Sequence, residues 1–152
     1  AEARGLDDEV ILAAFSHDIG HLSEEMGEGN PMGGYGVKDH EKIGADYLRK
    51  KGFPERMARL VESHVEAKRY LTFKDEDYYN NLSEASRKTL EYQGGRMTAE
   101  EAAQFEANPL FNLMIQMRRW DEQAKLEHIP LPDLAIYKKM AAHILANNTL
   151  KK

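Results

Sequence analysis

The sequence has no cysteine among its 152 residues. That excludes a disulfide framework and every thiolate metal ligand, so a transition metal could be held only by imidazole and carboxylate. Long apolar runs are missing as well. Nothing approaches the roughly 20 residues that span a bilayer, and the start Ala1-Glu2-Ala3-Arg4 has no signal-peptide pattern. A cytoplasmic protein with no membrane partner is the expectation. Clustered basic charge is also lacking: 21 Lys and Arg stand against 26 Asp and Glu, a net charge of −5, and they are scattered. A nucleic-acid surface needs a basic stripe to displace phosphate counterions, so no nucleic-acid partner is expected, and no obligate protein partner is evident. A small anion held by two or three local cations stays within reach. The length predicts one domain, residues 1–152. Such a domain removes roughly 68–70% of its unfolded surface from water, enough to fold without staples.

Apolar residues recur at helical spacing almost throughout, and no useful stretch alternates with period two, which predicts an all-α fold. A first helix is read over 7–22, capped by Asp7 or Asp8, with Val10, Ile11, Ala14, Phe15 and Ile19 turned inward. Residues 23–36 carry Gly27, Gly29, Pro31, Gly33, Gly34 and Gly36, a density of turn formers that forbids regular structure. A loop of that length in a small domain is usually functional. A second helix is read over 39–51, ending at Gly52, and a third starts near Pro54 and carries Met57, Leu60, Val61 and His64. Ser83 opens another helix, closed by Gly94-Gly95, and Thr98-Ala99-Glu100-Glu101 is a capping-box signal for a short one. Two more are read over 110–125 and 133–147.

Four of the six histidines, His17, His21, His40 and His64, lie in the first half. His17 and His21 are four apart, and Asp18 follows His17 directly. An isolated His-Asp pair is most simply a core histidine beside a capping aspartate. The reading changes with His40 and His64, each on a separate helix whose inward face is otherwise apolar. Imidazoles converging from three helices are costly to bury unless something satisfies them, and a metal does. Asp121 adds a carboxylate, four residues after Met117 and seven after Met114 on an apolar face. Two readings of it stay open: a surface aspartate paired with Lys125 at i+4, or a buried ligand balanced by a cation. Together these residues form an N/O donor set suited to iron, manganese, cobalt or zinc.

The pattern His17-Asp18, His40, His64 and Asp121 resembles that of the HD-domain superfamily, an all-helical bundle. The surrounding stretches Gly33-Gly34-Tyr35-Gly36-Val37, His40-Glu41-Lys42-Ile43-Gly44, His64-Val65-Glu66-Ala67-Lys68 and Leu82-Ser83-Glu84-Ala85-Ser86-Arg87-Lys88-Thr89 resemble one branch of it. That branch is the phosphonate-cleaving, mixed-valence diiron oxygenases, related to myo-inositol oxygenase. The resemblance implies that one iron is held by His17 and Asp121, the other by His40 and His64, with Asp18 bridging. It implies two iron ions, Fe(II) and Fe(III), O2 as co-substrate and a small hydroxyphosphonate as substrate. Its C–P bond is cleaved to give phosphate and a carboxylate: glycine from 2-amino-1-hydroxyethylphosphonate, or glycine betaine from the trimethylammonio analogue.

By the same resemblance His21, Lys68, Ser86, Thr89 and Arg118 line the substrate pocket, with Asp18, His21 and Lys68 nearest the chemistry. The spacing is compatible. Lys68 lies one turn after His64, Ser86 and Thr89 are i,i+3 neighbours, and Arg118 sits three before Asp121. Each also has a plain structural alternative, as a back-bonded hydroxyl, a packing residue or a solvated charge. His128 and His143 are read as structural, Met114, Met117 and Met140 as core filler, and Tyr35 as a candidate lid residue. The family pattern begins with a further His, Tyr and acidic residue before the His-Asp pair, for which this sequence has no counterpart, so it is read as lacking that N-terminal helical segment. Two other functions compete with the oxygenase. One is an HD-domain metal-dependent phosphohydrolase using the same ligands with Mn, Mg or Zn to activate water; the other is a non-catalytic anion-binding module.

Overall fold

Asp7 starts the first helix by accepting a hydrogen bond from Val10 N at 3.1 Å, which satisfies one of the donors that every helix start leaves free. In this computed structural model, residues 7–22, 38–127 and 133–150 are described. Among them the elements are α1 (Asp8–Ser16), a 3-10 turn (Ile19–His21), α2 (His40–Lys50), α3 (Glu55–Glu62), α4 (His64–Lys74), α5 (Glu76–Asn81), α6 (Glu84–Tyr92), α7 (Ala99–Glu106), α8 (Phe111–Glu127) and α9 (Leu134–Leu150). There is no strand among the described residues, as the helical periodicity predicts. The glycine-rich stretch 23–36 with Tyr35, His128 and the Lys125 side chain lie outside what is described. No helix of the described residues is long and apolar enough to cross a membrane.

Two helices read as continuous are broken, and both breaks fall at candidate ligands. The helix expected over 7–22 ends at Ser16. His17 is its C-cap, Asp18 leaves helical geometry at φ −97°, ψ 12°, and the chain re-forms only as the 3-10 turn. The reason is contact with α2: Gly20 lies so near it that a β-carbon there would stand 1.8 Å from the His40 carbonyl oxygen. The third helix likewise stops at Glu62, Ser63 serves both as C-cap of α3 and N-cap of α4, and His64 opens a new helix. Phe15, expected inside, is 41% exposed and stacks on Tyr137 of α9 with ring centroids 4.0 Å apart.

The core lies where α1, α2 and α3 meet, and extends through α4, α7 and α8. Leu48, Met57, Leu60 and Val61 are fully buried, and Met114 and Met117 carry the same core onto α8. Burying each such side chain stabilises the fold by about 1.5–3 kcal/mol. Tyr70, Phe105 and Phe111 pack edge to face or tilted at 5.2–5.5 Å, joining α4, α7 and α8. The capping box predicted at Thr98 is complete: its hydroxyl accepts from Glu101 N, and the Glu101 carboxylate accepts from Thr98 N at 2.8 Å. Gly94 and Gly95, both at positive φ, end the α6 region, where Arg69 of α4 donates to the Gly95 carbonyl at 2.9 Å. These contacts hold α4, α6 and α8 around one cavity.

Candidate metal centre and anion cavity

Three imidazoles reach this cavity's floor from helix ends: His17 at the close of α1, His40 at the start of α2 and His64 at the start of α4. Each turns Nδ1 outward and Nε2 inward. His17 Nδ1 donates to the Ala14 carbonyl at 2.8 Å, His64 Nδ1 donates to the Val61 carbonyl at 2.7 Å, and His40 Nδ1 faces the Glu41 carboxylate at 3.5 Å. A ring nitrogen fixed this way leaves the other free to donate its lone pair, the arrangement that metal-binding histidines use.

Asp18 divides its carboxylate between them. Oδ2 lies 3.3 Å from His17 Nε2, while Oδ1 lies 3.5 Å from His40 Nε2 and 3.6 Å from His64 Nε2. Asp121 Oδ1 closes the first group at 3.2 Å from His17 Nε2, and His40 and His64 close the second with their Nε2 atoms 2.9 Å apart. Two donors about 2.1 Å from one cation, at right angles, stand about 3 Å from each other. Both groups therefore have the spacing of a ligand set. His21 stacks on His40 at 4.0 Å, and Asp18, His21 and His40 also place donor atoms within 4.8 Å of one another.

Two orphaned buried atoms test the fit to a metal. His17 Nε2 makes no hydrogen bond of acceptable geometry, although both carboxylates stand at ion-pair distance. Glu41 Oε2 is buried without a hydrogen-bond partner as well. His64 Nδ1 is committed as a donor, so His40 Nε2 supplies the proton between the two rings, while Glu41 Oε2 stays without a hydrogen bond. A cation between the Nε2 atoms frees that proton for Nδ1, and one beside His17 accepts its lone pair. The residues fit a metal site.

Electrostatics agree. Burial pulls the His17 imidazole down, but Asp121 and Asp18 outweigh it and hold it up at about 10, so without a metal this position takes a proton. Burial opposes the charged form of Asp18 too, yet the His17 and His40 imidazoles beside it hold the carboxyl well below the usual range. His64, buried and beside the charge of His17 and His40, is pushed down to about 3 and is a neutral donor. Glu41 is raised, chiefly by burial.

Above these donors opens a cavity of about 190 Å³, lined by Asp18, His21, His40, His64, Val65, Lys68, Ala85, Ser86, Thr89, Gln93, Arg118 and Asp121. Lys68 is 4% exposed and donates to Thr89 Oγ1 at 3.0 Å. Thr89 in turn donates to the Ser86 carbonyl, and Ser86 Oγ accepts from Ser83 Oγ at 3.1 Å. A buried ammonium beside two hydroxyls is an anion-binding wall. Every residue expected at the site thus lies in the cavity lining or, for His17, just behind it. The sequence reading missed Gln93, whose Oε1 is buried without a partner, and Tyr78 and Glu122, which reach Arg118 from behind. Gln93, one turn after Thr89 on α6, could have been found from that spacing; Tyr78 could not. Arg118 does line the cavity, but its guanidinium already donates to Asp121, Glu122 and Tyr78.

Residues 1–141 match the HD domain. The chain is 44% identical over 149 residues to an uncharacterized protein of Acanthamoeba polyphaga mimivirus, covering 98% of this chain and 68% of that one. It is 42% identical over 133 residues to the [1-hydroxy-2-(trimethylamino)ethyl]phosphonate dioxygenase (glycine-betaine-forming) of Leisingera caerulea, covering 88% and 67%. It is 41% identical over 131 residues to the hydroxymethylphosphonate dioxygenase of Gimesia maris, covering 85% and 64%. The chain spans about two thirds of the length of these relatives. With a His-Asp pair at the heart of a helical donor cluster, and these relatives along most of its length, the chain belongs to the HD-domain family, in the group that holds phosphonate dioxygenases.

Proposed function

We propose that this chain is the HD domain of a non-haem diiron oxygenase that uses O2 to cleave the C–P bond of a 1-hydroxyphosphonate. The observation that carries the reading is Asp18, whose two oxygens face separate donor groups directly beneath a lysine-lined anion cavity. The named activities of the L. caerulea and G. maris relatives support it. His17, Asp121 and Asp18 Oδ2 would hold one iron; His40, His64 and Asp18 Oδ1 the other. A bound Fe(II)/Fe(III) pair supplies O2 activation and Lewis acidity.

The residues of the chain do the rest. Lys68 Nζ neutralises the phosphonate, with the Ser86 hydroxyl as a further donor and the Thr89 hydroxyl as another once it turns from the Ser86 carbonyl. His21, stacked on His40 at the cavity edge, orients the substrate. The reaction balances with O2 alone: breaking the C–H and C–P bonds of R–CH(OH)–PO3H2 and adding both oxygen atoms gives R–COOH and H3PO4. No external reductant is needed. The substrate we assign is 2-amino-1-hydroxyethylphosphonate, giving glycine, with the trimethylammonio analogue, giving glycine betaine, as the variant.

The test is iron content with EPR or Mössbauer spectroscopy, then O2 uptake and phosphate release with each hydroxyphosphonate, including hydroxymethylphosphonate. A mixed-valence signal that changes on adding substrate, with one phosphate per O2, is the expected result. Redox-silent metal, no O2 uptake and turnover of phosphate esters would replace the oxygenase with a phosphohydrolase.

A further inference from the structure

Arg118 is buried at the cavity wall, 6% exposed, and held by two residues that play no part in the reading above. Its Nε donates to Tyr78 Oη and to Glu122 Oε1, both at 3.1 Å, and Nη2 lies 3.0 Å from the same Glu122 oxygen. Nη1 contacts Asp121 Oδ2 at 3.2 Å. Tyr78 closes the ring by donating its hydroxyl to Glu122 Oε1. Burial, reinforced by Glu122, pushes that phenol up, so it remains a donor.

We propose that Tyr78 and Glu122 are positioning residues that hold the Arg118 guanidinium so that it takes one oxygen of Asp121 and leaves the other for the metal beside His17. A guanidinium next to a carboxylate ordinarily closes on both oxygens as a two-pronged fork. Doing so here would withdraw Asp121 Oδ1 from His17, which it now faces at 3.2 Å. Occupying Nε and Nη2 with Glu122 and Tyr78 prevents that turn. Glu122 also balances the buried cation, so Asp121 need not spend its own charge on Arg118.

Tyr78 acts from α5, a six-residue helix in which no residue is fully buried and Tyr78 is half-buried, so apolar burial contributes little to its seating. Polar contacts seat it instead: Arg96 pairs with Glu76 at 2.7 Å and lies 3.8 Å over the Tyr79 ring, while the Asp75 side chain caps the helix through Tyr78 N.

The proposal rests on the metal reading of Asp121, and the test separates the two. Metal-free protein is titrated with Co(II) by calorimetry and visible absorption, comparing wild type with Tyr78→Phe, Glu122→Gln, Arg118→Gln and Asp121→Ala. Wild type is expected to bind two ions. Glu122→Gln should weaken one of them about 10–100-fold and leave the other unchanged, with a smaller effect in Tyr78→Phe. In the Arg118→Gln background the Glu122 change should add nothing, since it acts through the arginine. Wild-type affinity at both sites in Glu122→Gln and Tyr78→Phe would overturn the proposal. So would equal weakening of both sites with a lowered unfolding midpoint, the mark of a purely structural role. If Asp121→Ala itself leaves two ions bound, the metal reading of Asp121 fails and the positioning role fails with it.

Discussion

Gly20 and His40 touch so closely that the glycine's missing side chain is what permits the contact: a β-carbon would lie 1.8 Å from the His40 carbonyl oxygen and 2.7 Å from its carbonyl carbon. Both obstacles are backbone, which cannot rotate away. Gly20→Ala should therefore destabilise the fold by about 3 kcal/mol or more, at the upper end for overpacking. It should also push Asp18 and His40 apart and lower metal content. Urea unfolding with metal analysis checks both, and an unchanged midpoint would show that the turn and α2 are not in this contact in solution.

Asp18 serves both donor groups, so its loss should be felt at both. Asp18→Ala is expected to reduce bound iron to near zero, whereas Asp121→Ala should leave about one ion per chain, because His40, His64 and Asp18 are untouched by it. Metal analysis after anaerobic reconstitution distinguishes these outcomes. Stoichiometric iron in Asp18→Ala would remove the bridge.

Lys68 faces the cavity and not the donors, so it should govern substrate and not metal. Lys68→Ala is expected to keep the iron of the wild type and raise KM about 10–100-fold, the range for losing a hydrogen bond to a charged group. Thr89→Ala should raise it less. Steady-state kinetics with iron content measured in parallel decides the matter, and an unchanged KM takes Lys68 out of the anion wall.

The pH dependence of the metal-free protein follows from one raised group, His17, and two lowered ones, Asp18 and His64. His17 rises from 6.5 to about 10 on folding, so its contribution is complete below pH 6.5 and lost as pH climbs toward 10. Asp18 is lowered from 3.8, so its contribution is present above that pH and lost in more acid solution. His64, lowered from 6.5 to about 3, stays neutral in the fold and costs stability as pH falls below 6.5. The metal-free form should therefore be most stable near pH 6.5, and a bound metal, replacing the His17 proton, should abolish the loss at higher pH. Thermal unfolding across pH, with and without chelator, tests this. Equal stability of metal-free protein at pH 6 and pH 9 would contradict it.

The candidate ligand residues are legible in the sequence, and their arrangement is not. His17, Asp18, His40, His64 and Asp121 stand out because imidazoles and a lone aspartate are expensive among Met114, Met117, Leu60 and Val61. Caps at Asp7, Ser83 and Thr98 were equally plain, since each is a local hydrogen bond. The breaks at His17 and Ser63 were not. Met57, Leu60, Val61 and His64 keep helical spacing straight across the second break, with no proline or glycine to mark it. α5 was missed because Glu76–Asn81 has no apolar periodicity to read. The division of Asp18 between two donor groups, and the ring of Tyr78, Glu122 and Arg118, depend on residues brought together from distant parts of the chain, which no local pattern records.

The break at Ser63 gives one helix two duties. His64 is the first residue of α4 and Lys68 stands a turn further on, so their Cα atoms are separated by about 6 Å of rigid helix. In the function proposed, the distance between the metal-side histidine and the anion's main countercharge is then a fixed gauge that loop changes elsewhere cannot reset. The opposite jaw is Ser86 and Thr89 on α6, a separate helix bounded by the Ser83 cap and the Gly94-Gly95 turn. Substitutions that change which phosphonate is accepted should therefore map onto α6 and its flanking turns rather than onto α4.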